Sequence, residues 1–421
     1  MIKGEKIRFD VHNILFSIWK FSKTLEDSSI KQIYNNNKKE DISFLNTVTL
    51  NSMRYRFHTT KIINKYVKKK LRDKEYILLL SAITQIVFLD FKEYAVINCS
   101  VEIAKKLKIY HGFINAVLKN ITSEKKLLKN ITVSFSDLPS WFVDKAKNFT
   151  NIEREVFLKN FYNKPDIHIV FKNNNKFLEF NDRIKKTSDL SGYLLVHQDI
   201  KKIKSFKSGD WWVQDFSSFL PIHNLPIKID NKKILDACSA PGGKAFQILG
   251  KTDQIILNDK SKERIKILNS NLKRLNYKTT VLNQDFIKFK YNHKFDLIII
   301  DAPCSAVGTI RRNPEIFFKR KSPNFNQLTK IQEQMLERAS MLLNKNGLIL
   351  YMVCSFLEIE TENQIDKFLK KNNDFKLCDL NLSKKIKYSK LIKNNYIITL
   401  PDKFLNYNID GFFAAYLKKI K

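Results

Sequence analysis

Five short runs in the C-terminal half, KILDAC, QIILND, TTVLNQD, FDLIIIDAP and GLILYMVC, constrain the fold of this chain more than any other feature. Most end in Asp or Cys, and helix-length segments such as KERIKILNSNLKRL and QLTKIQEQMLERASMLL separate them. Strands that are apolar at nearly every position are buried on both faces, and alternation with helices predicts a parallel, doubly wound α/β sheet over residues 226–421. Such sheets bind ligands at the carboxyl ends of their strands. Those ends are where this sequence keeps its acids and two of its five cysteines.

The first third has a different grammar. No proline precedes Pro139, and the only glycines before it are Gly4 and Gly112. Apolar residues recur at helical intervals in Ile62, Ile63, Tyr66 and Val67, in Ile77, Leu80, Ile83, Ile86 and Val87, and in Ile114, Val117, Leu118 and Ile121. Residues 1–138 therefore read as an all-helical bundle. Between them, residues 139–225 mix a helical start (PSWFVDKAKNF) with strand-like IHIVF and YLLVH and a basic run, DIKKIKSFKSG, and are expected to form a small α+β connecting domain. The Asn/Lys patches YNNNKKED and FKNNNK read as solvated loops.

With 421 residues and 43% hydrophobic content the chain can build two or three ordinary cores. Its most apolar stretch, YILLLSAITQIVFLDF, is too short to span a bilayer and reads as a buried helix. The N-terminal run is broken by Arg8, Asp10, His12 and Asn13, so no secretory core forms and a cytoplasmic, membrane-free protein is expected. Cysteines that are odd in number and never in a C-x-x-C pair suggest neither a disulfide framework nor a structural zinc site. No metal is expected. A formal charge of +33, from 75 Lys plus Arg against 42 Asp plus Glu, favours a polyanionic partner, although drift toward Lys, Asn and Ile produces the same surplus.

After the first strand, DACSAPGGKAF sets Gly242 and Gly243 at a strand-to-helix turn, where backbone can approach a ligand closely. The spacing matches neither a dinucleotide fingerprint nor a P-loop. Asp259 at the second strand end can accept both ribose hydroxyls of an adenosine, and Asp285 at the third can read its amino group. Without a basic phosphate clamp, S-adenosylmethionine fits these acids better than NAD or ATP. Cys304 and Cys354 follow the fourth and fifth strands, neighbours in a doubly wound sheet, and so should emerge together at the ligand edge. Packing as small hydrophobes accounts for Cys99, Cys238 and Cys378, and less well for this pair. Ser355 to Glu358 has a capping-box pattern predicting a helix directly after Cys354, whose N-terminus would favour the thiolate. Glu358, Glu360 and Glu362 would oppose that if turned toward the thiol. A cysteine hydrolase is the rival class, but it needs a histidine base, and none of the seven histidines ends a strand.

In the order CSAPGGK, Asp259, Asp285, DAPCSAVGTIRRNP, VCSFLEIETENQ and DGFFAAYL, the chain resembles the RNA cytosine-C5 methyltransferases. FINAVLKN lies in a segment similar to the NusB-type RNA-binding fold, which points to the bacterial branch acting on 16S ribosomal RNA. The resemblance implies a Rossmann-like catalytic domain that binds S-adenosylmethionine through Cys238, Ser239, Ala240, Pro241, Gly242, Gly243, Lys244, Asp259, Asp285 and Asp301. It makes Cys354 the nucleophile toward C6 of the base, Cys304 an aid to product release, and Asp301 a hydrogen-bonding partner at N3. Arg311 and Arg312 would contact RNA beside the pocket, and the chain would act as a monomer. Val353, Ser239, Glu358 and Thr361 depart from the family's usual Thr, Ala, Pro and Asn without removing a reactive group. A pure RNA-binding or chaperone role is the alternative reading.

Overall fold

Helical spacing in the N-terminal third becomes helices packed on one apolar core. In Glu5–Phe21 the stripe Ile7, Val11, Ile14, Leu15 and Ile18 is buried, and Ser28–Asn35, Lys39–Arg54, Arg56–Tyr66, Glu93–Lys106 and His111–Ser123 follow. The apolar stretch from Tyr76 lies in the helix Asp73–Ile83 and continues through a wider π-turn, Thr84–Phe88, with Ile77, Leu80, Ile83, Ile86 and Val87 all buried. Glu75 accepts from the Arg72 backbone N–H at 2.8 Å, which caps that helix where an orphan donor would otherwise stand.

The structure is a computed structural model describing residues 4–178, 180–195, 200–203, 205–380 and 391–421. It divides into two compact units, Met1–Asn163 with Ile310–Pro323, and Lys164–Thr309 with Asn324–Lys421. The helices Ser140–Lys145 and Asn151–Asn160 thus group with the N-terminal bundle, although the sequence reading put them in a connecting domain starting at residue 139. Ile310–Pro323 joins the same unit: Phe318 is buried in the helical core, and Phe317 packs on Phe142 with ring centroids 4.8 Å apart.

In the second unit IHIVF supplies strand β1 (His168–Phe171) of an antiparallel sheet completed by β2 (Ile184–Ser188), β3 (Ser191–Leu194) and β4 (Trp211–Val213), in the order β2-β3-β1-β4. YLLVH is strand through Leu194, while Val196 and His197, like Asp199 and Lys204 of the basic run, lie outside the described residues. The larger sheet contains the five expected strands: β5 (Ile234–Asp236), β6 (Ile255–Asn258), β7 (Thr280–Leu282), β8 (Phe295–Asp301) and β9 (Leu343–Val353). These run parallel in the order β9-β8-β5-β6-β7. The sheet is mixed rather than wholly parallel. After β10 (Phe375–Leu377), β11 (Ile392–Lys393), β12 (Tyr396–Thr399) and the hairpin of β13 (Asp402–Phe404) with β14 (Tyr407–Ile409), DGFFAAYL forms β15 (Phe412–Lys419). β15 lies antiparallel to both β9 and β12. No helix connects β12 to β15, and a strand reached without a crossover can only return antiparallel.

Candidate active site

The glycine turn is built by close packing. Gly242 has φ +115°, and a Cβ there would stand 2.1 Å from the Phe246 ring, so the turn into the helix Gly243–Leu249 requires glycine on both counts. Ser239 donates to the Asp236 carbonyl at 2.9 Å and accepts from the Asn258 N–H at 3.1 Å, which ties the loop after β5 to the end of β6. The serine that departs from the family pattern thus has a local purpose. Asp259 is buried, accepting from Ser261 N–H at 2.9 Å and Ala240 N–H at 3.3 Å, with Arg264 alongside at 3.6 Å. Asp285 is exposed and caps the following turn through the Ile287 N–H at 3.1 Å.

These acids open on a cavity of about 420 Å³, lined also by Cys238, Phe286, Ile287, Asp301, Cys304, Met335 and Cys354. Among the described residues no histidine lines it, so the hydrolase reading finds no base there. Beside it a hollow of about 180 Å³ is bounded by Asp236, Ser239, Ala240, Pro241, Gly243, Lys244 and Asp301. Lys244 donates to Asp301 at 2.6 Å; burial works against its charge, but Asp301 outweighs this and its pKa rises. Burial, with Asp301 nearby, pushes the Asp236 carboxyl up to about 7, and burial pushes the Cys238 thiol up. Cys238 is therefore a protonated wall of the cavity rather than a nucleophile. Carboxylates facing apolar Phe286, Ile287 and Met335 suit the hydroxyls, amino group and ring of an adenosine.

Parallel register sets the cysteines together. β8 and β9 pair Ile300 with Tyr351 and Asp301 with Met352, and the loops beyond them bring the Cys304 and Cys354 sulfurs to 3.3 Å. The Cys304 thiol is raised well above its ordinary value, first by its hydrogen bond to Cys354 and then by burial, and either sulfur can be the donor of that bond. Gly308 N–H donates to the Cys354 carbonyl at 3.0 Å, and Gly411 N–H to the Gly308 carbonyl at 2.8 Å. No helix begins directly after Cys354: a single turn spans Glu358–Glu360 and the α-helix starts only at Glu362. Ser355 bonds instead to the Leu357 N–H and to Glu360, so the dipole effect expected from a helix N-terminus at Cys354 has no geometric basis. Of the three glutamates, Glu358 is exposed, Glu362 half-buried and Glu360 fully buried.

Arg311 does not present itself to solvent. It is fully buried in the helical unit, where its carbonyl accepts from Arg54 at 2.9 Å, so the surface contact expected of it gives way to packing. Arg312 remains partly exposed. Two residues join the cysteine loops: Glu360, which the sequence reading weighed only as a group opposing the thiolate, and Gln332, to which it gave no role and which donates to the Pro303 carbonyl at 3.0 Å. Gln332 had a signal, as a polar residue on the apolar stripe of Leu328, Ile331, Met335 and Leu336.

Residues 226–418 match the model of 16S rRNA methyltransferase RsmB/F, and residues 8–123 match that of the NusB family. Among curated relatives, Ribosomal RNA small subunit methyltransferase B of Vibrio vulnificus (strain YJ016) is 26% identical, over 86% of this chain and 90% of its own length. The protein of that name from Shewanella oneidensis is 29% identical, over 83% and 84%. A solved structure titled "Crystal Structure of PH0851" superposes with a TM-score of 0.73 at 21% identity, covering 100% of this chain and 99% of that one, and so shares the fold.

Proposed function

We propose that this chain, whose residues 226–418 match the model of 16S rRNA methyltransferase RsmB/F and residues 8–123 that of the NusB family, is an enzyme that methylates C5 of one cytosine in 16S ribosomal RNA. It would act as a cytoplasmic monomer. The observation that carries this reading is the pair of sulfurs 3.3 Å apart on a cavity lined by Asp259, Asp285 and Asp301. S-adenosylmethionine, when bound, supplies an electrophilic methyl group. Asp259 would hold its ribose and Asp285 its adenine, with the Cys238 to Lys244 turn against the remainder.

C5 of cytosine is too weak a nucleophile to accept that methyl unaided. Cys354 would add as thiolate to C6, leaving C5 enamine-like, while Asp301, held by Lys244 and acting as a carboxylic acid, would donate its proton to N3 as the electron pair arrives there. Cys304 holds a proton while Cys354 is free. Once Cys354 is bonded to C6, Cys304, its sulfur 3.3 Å away, would release its proton to solvent and as thiolate take the C5 proton. Electrons from the C5–H bond then re-form the double bond as the S–C6 bond breaks, returning Cys354. The base must leave its stack to reach the sulfurs. Incubation with 16S ribosomal RNA and methyl-labelled S-adenosylmethionine, followed by mapping, should place 5-methylcytosine at one position; label on another atom or base would remove the reading.

A further inference from the structure

Glu360 carries a carboxylate with no lysine or arginine paired to it among the described residues, yet it is fully buried. A buried charge is tolerated only where hydrogen bonds replace its lost hydration. Its donors come from both cysteine loops. One oxygen accepts from the Ser305 N–H at 2.7 Å and from Gln332 at 3.4 Å; the other accepts from the Ser305 hydroxyl at 2.5 Å and the Ser355 hydroxyl at 2.6 Å. Ser305 follows Cys304, and Ser355 follows Cys354. The Glu360 backbone is itself held, its carbonyl accepting from the buried Tyr351 hydroxyl at 2.9 Å.

We propose that Glu360 is a positioning residue that sets the distance between the two cysteine sulfurs by pinning the loops that carry them. Backbone pairing ends near Asp301 and Met352, so beyond the strands the sheet no longer dictates where the loops go. A carboxylate suits the position because it is acceptor-only: both serine hydroxyls and one N–H can point at it at once, which an amide or a hydroxyl cannot match. The role in catalysis rests on the methyltransferase reading; the spacing role does not.

The test therefore uses two readouts on the full chain. In the first, the azo oxidant diamide, itself reduced to the hydrazine, takes two hydrogens from the thiols to form the Cys304–Cys354 disulfide, followed by mass spectrometry without RNA. Glu360→Gln and Ser355→Ala should slow this closure while alkylation of Cys238 and Cys378 stays as in the parent protein. In the second, methylation kinetics should show kcat reduced by up to about 10²-fold, the scale of a misplacement of about 1 Å, with the S-adenosylmethionine Kd unchanged. Glu360→Ala should be worse than Glu360→Gln, which keeps one acceptor. Parent-like closure and kcat in folded Glu360→Gln would overturn the proposal and leave the function intact. Slowed closure in the variants of a parent protein that methylates nothing would sustain the spacing role and remove the function.

Discussion

At the scale of single residues, the two thiols are unequal although they touch. The Cys304 thiol is raised above its ordinary value, first by its hydrogen bond to Cys354 and then by burial, and in the proposed mechanism Cys354 makes the attack and Cys304 aids the release. Cys354→Ala should give neither methylated RNA nor a covalent adduct. Cys304→Ala should attack and methylate but stall before β-elimination, so that a ribonuclease-sensitive band of reduced mobility accumulates on a denaturing gel. The opposite pattern would exchange their roles. Asp259→Ala removes two charge-assisted acceptor positions, each worth about 1.5–3 kcal/mol, and should weaken S-adenosylmethionine binding at least about tenfold by calorimetry. Unchanged affinity would count against that acid as the ribose partner. The cysteines and acids were legible because they end strands. Glu360 was one of three alternating glutamates, and the donors that distinguish it, Ser305, Gln332 and Ser355, meet it only in the fold.

Elements show how such contacts depend on close backbone approach. A Cβ at Gly308 would stand 1.9 Å from the Gly411 carbonyl oxygen, an atom that cannot swing aside. Gly308→Ala should lower stability by about 1–3 kcal/mol in a thermal melt, and it should also slow methylation because the Gly308 N–H holds the Cys354 carbonyl. In the helix Glu5–Phe21, His12 is buried between Phe9 and Phe16, and burial, with Lys74 adding, lowers its pKa to about 4. His58 is likewise lowered to about 4, chiefly by burial. Unfolded, each returns to about 6.5. Between these values the unfolded chain binds protons that the folded one does not, so stability is full above about pH 6.5 and is lost as pH falls toward 4. Circular dichroism melts across that window should show a falling midpoint, and His12→Gln should flatten the slope. An unchanged midpoint would mean that the ring is protonated while folded.

For the whole molecule, the surplus of +33 predicts an RNA affinity that falls steeply with salt, with a logarithmic slope of about −0.7 per single-stranded phosphate neutralised. A flat salt dependence would mark the charge as compositional drift. Among the described residues no helix is long and apolar enough to cross a membrane, in line with the short apolar runs of the sequence. Sequence alone determined the helical first third, the five parallel strands, and the acids and cysteines at their ends. These follow from apolar periodicity and from where a strand stops, which are local properties of the chain. Tertiary structure alone decided that β15 inserts antiparallel, that Ile310–Pro323 belongs with the helical unit, that Arg311 is buried, and that Glu360 faces the cysteine loops. Each of these depends on partners distant in sequence: whether a charge can be buried is settled by the donors that meet it, and Glu360 finds them in Ser305, Gln332 and Ser355, gathered from three separate segments.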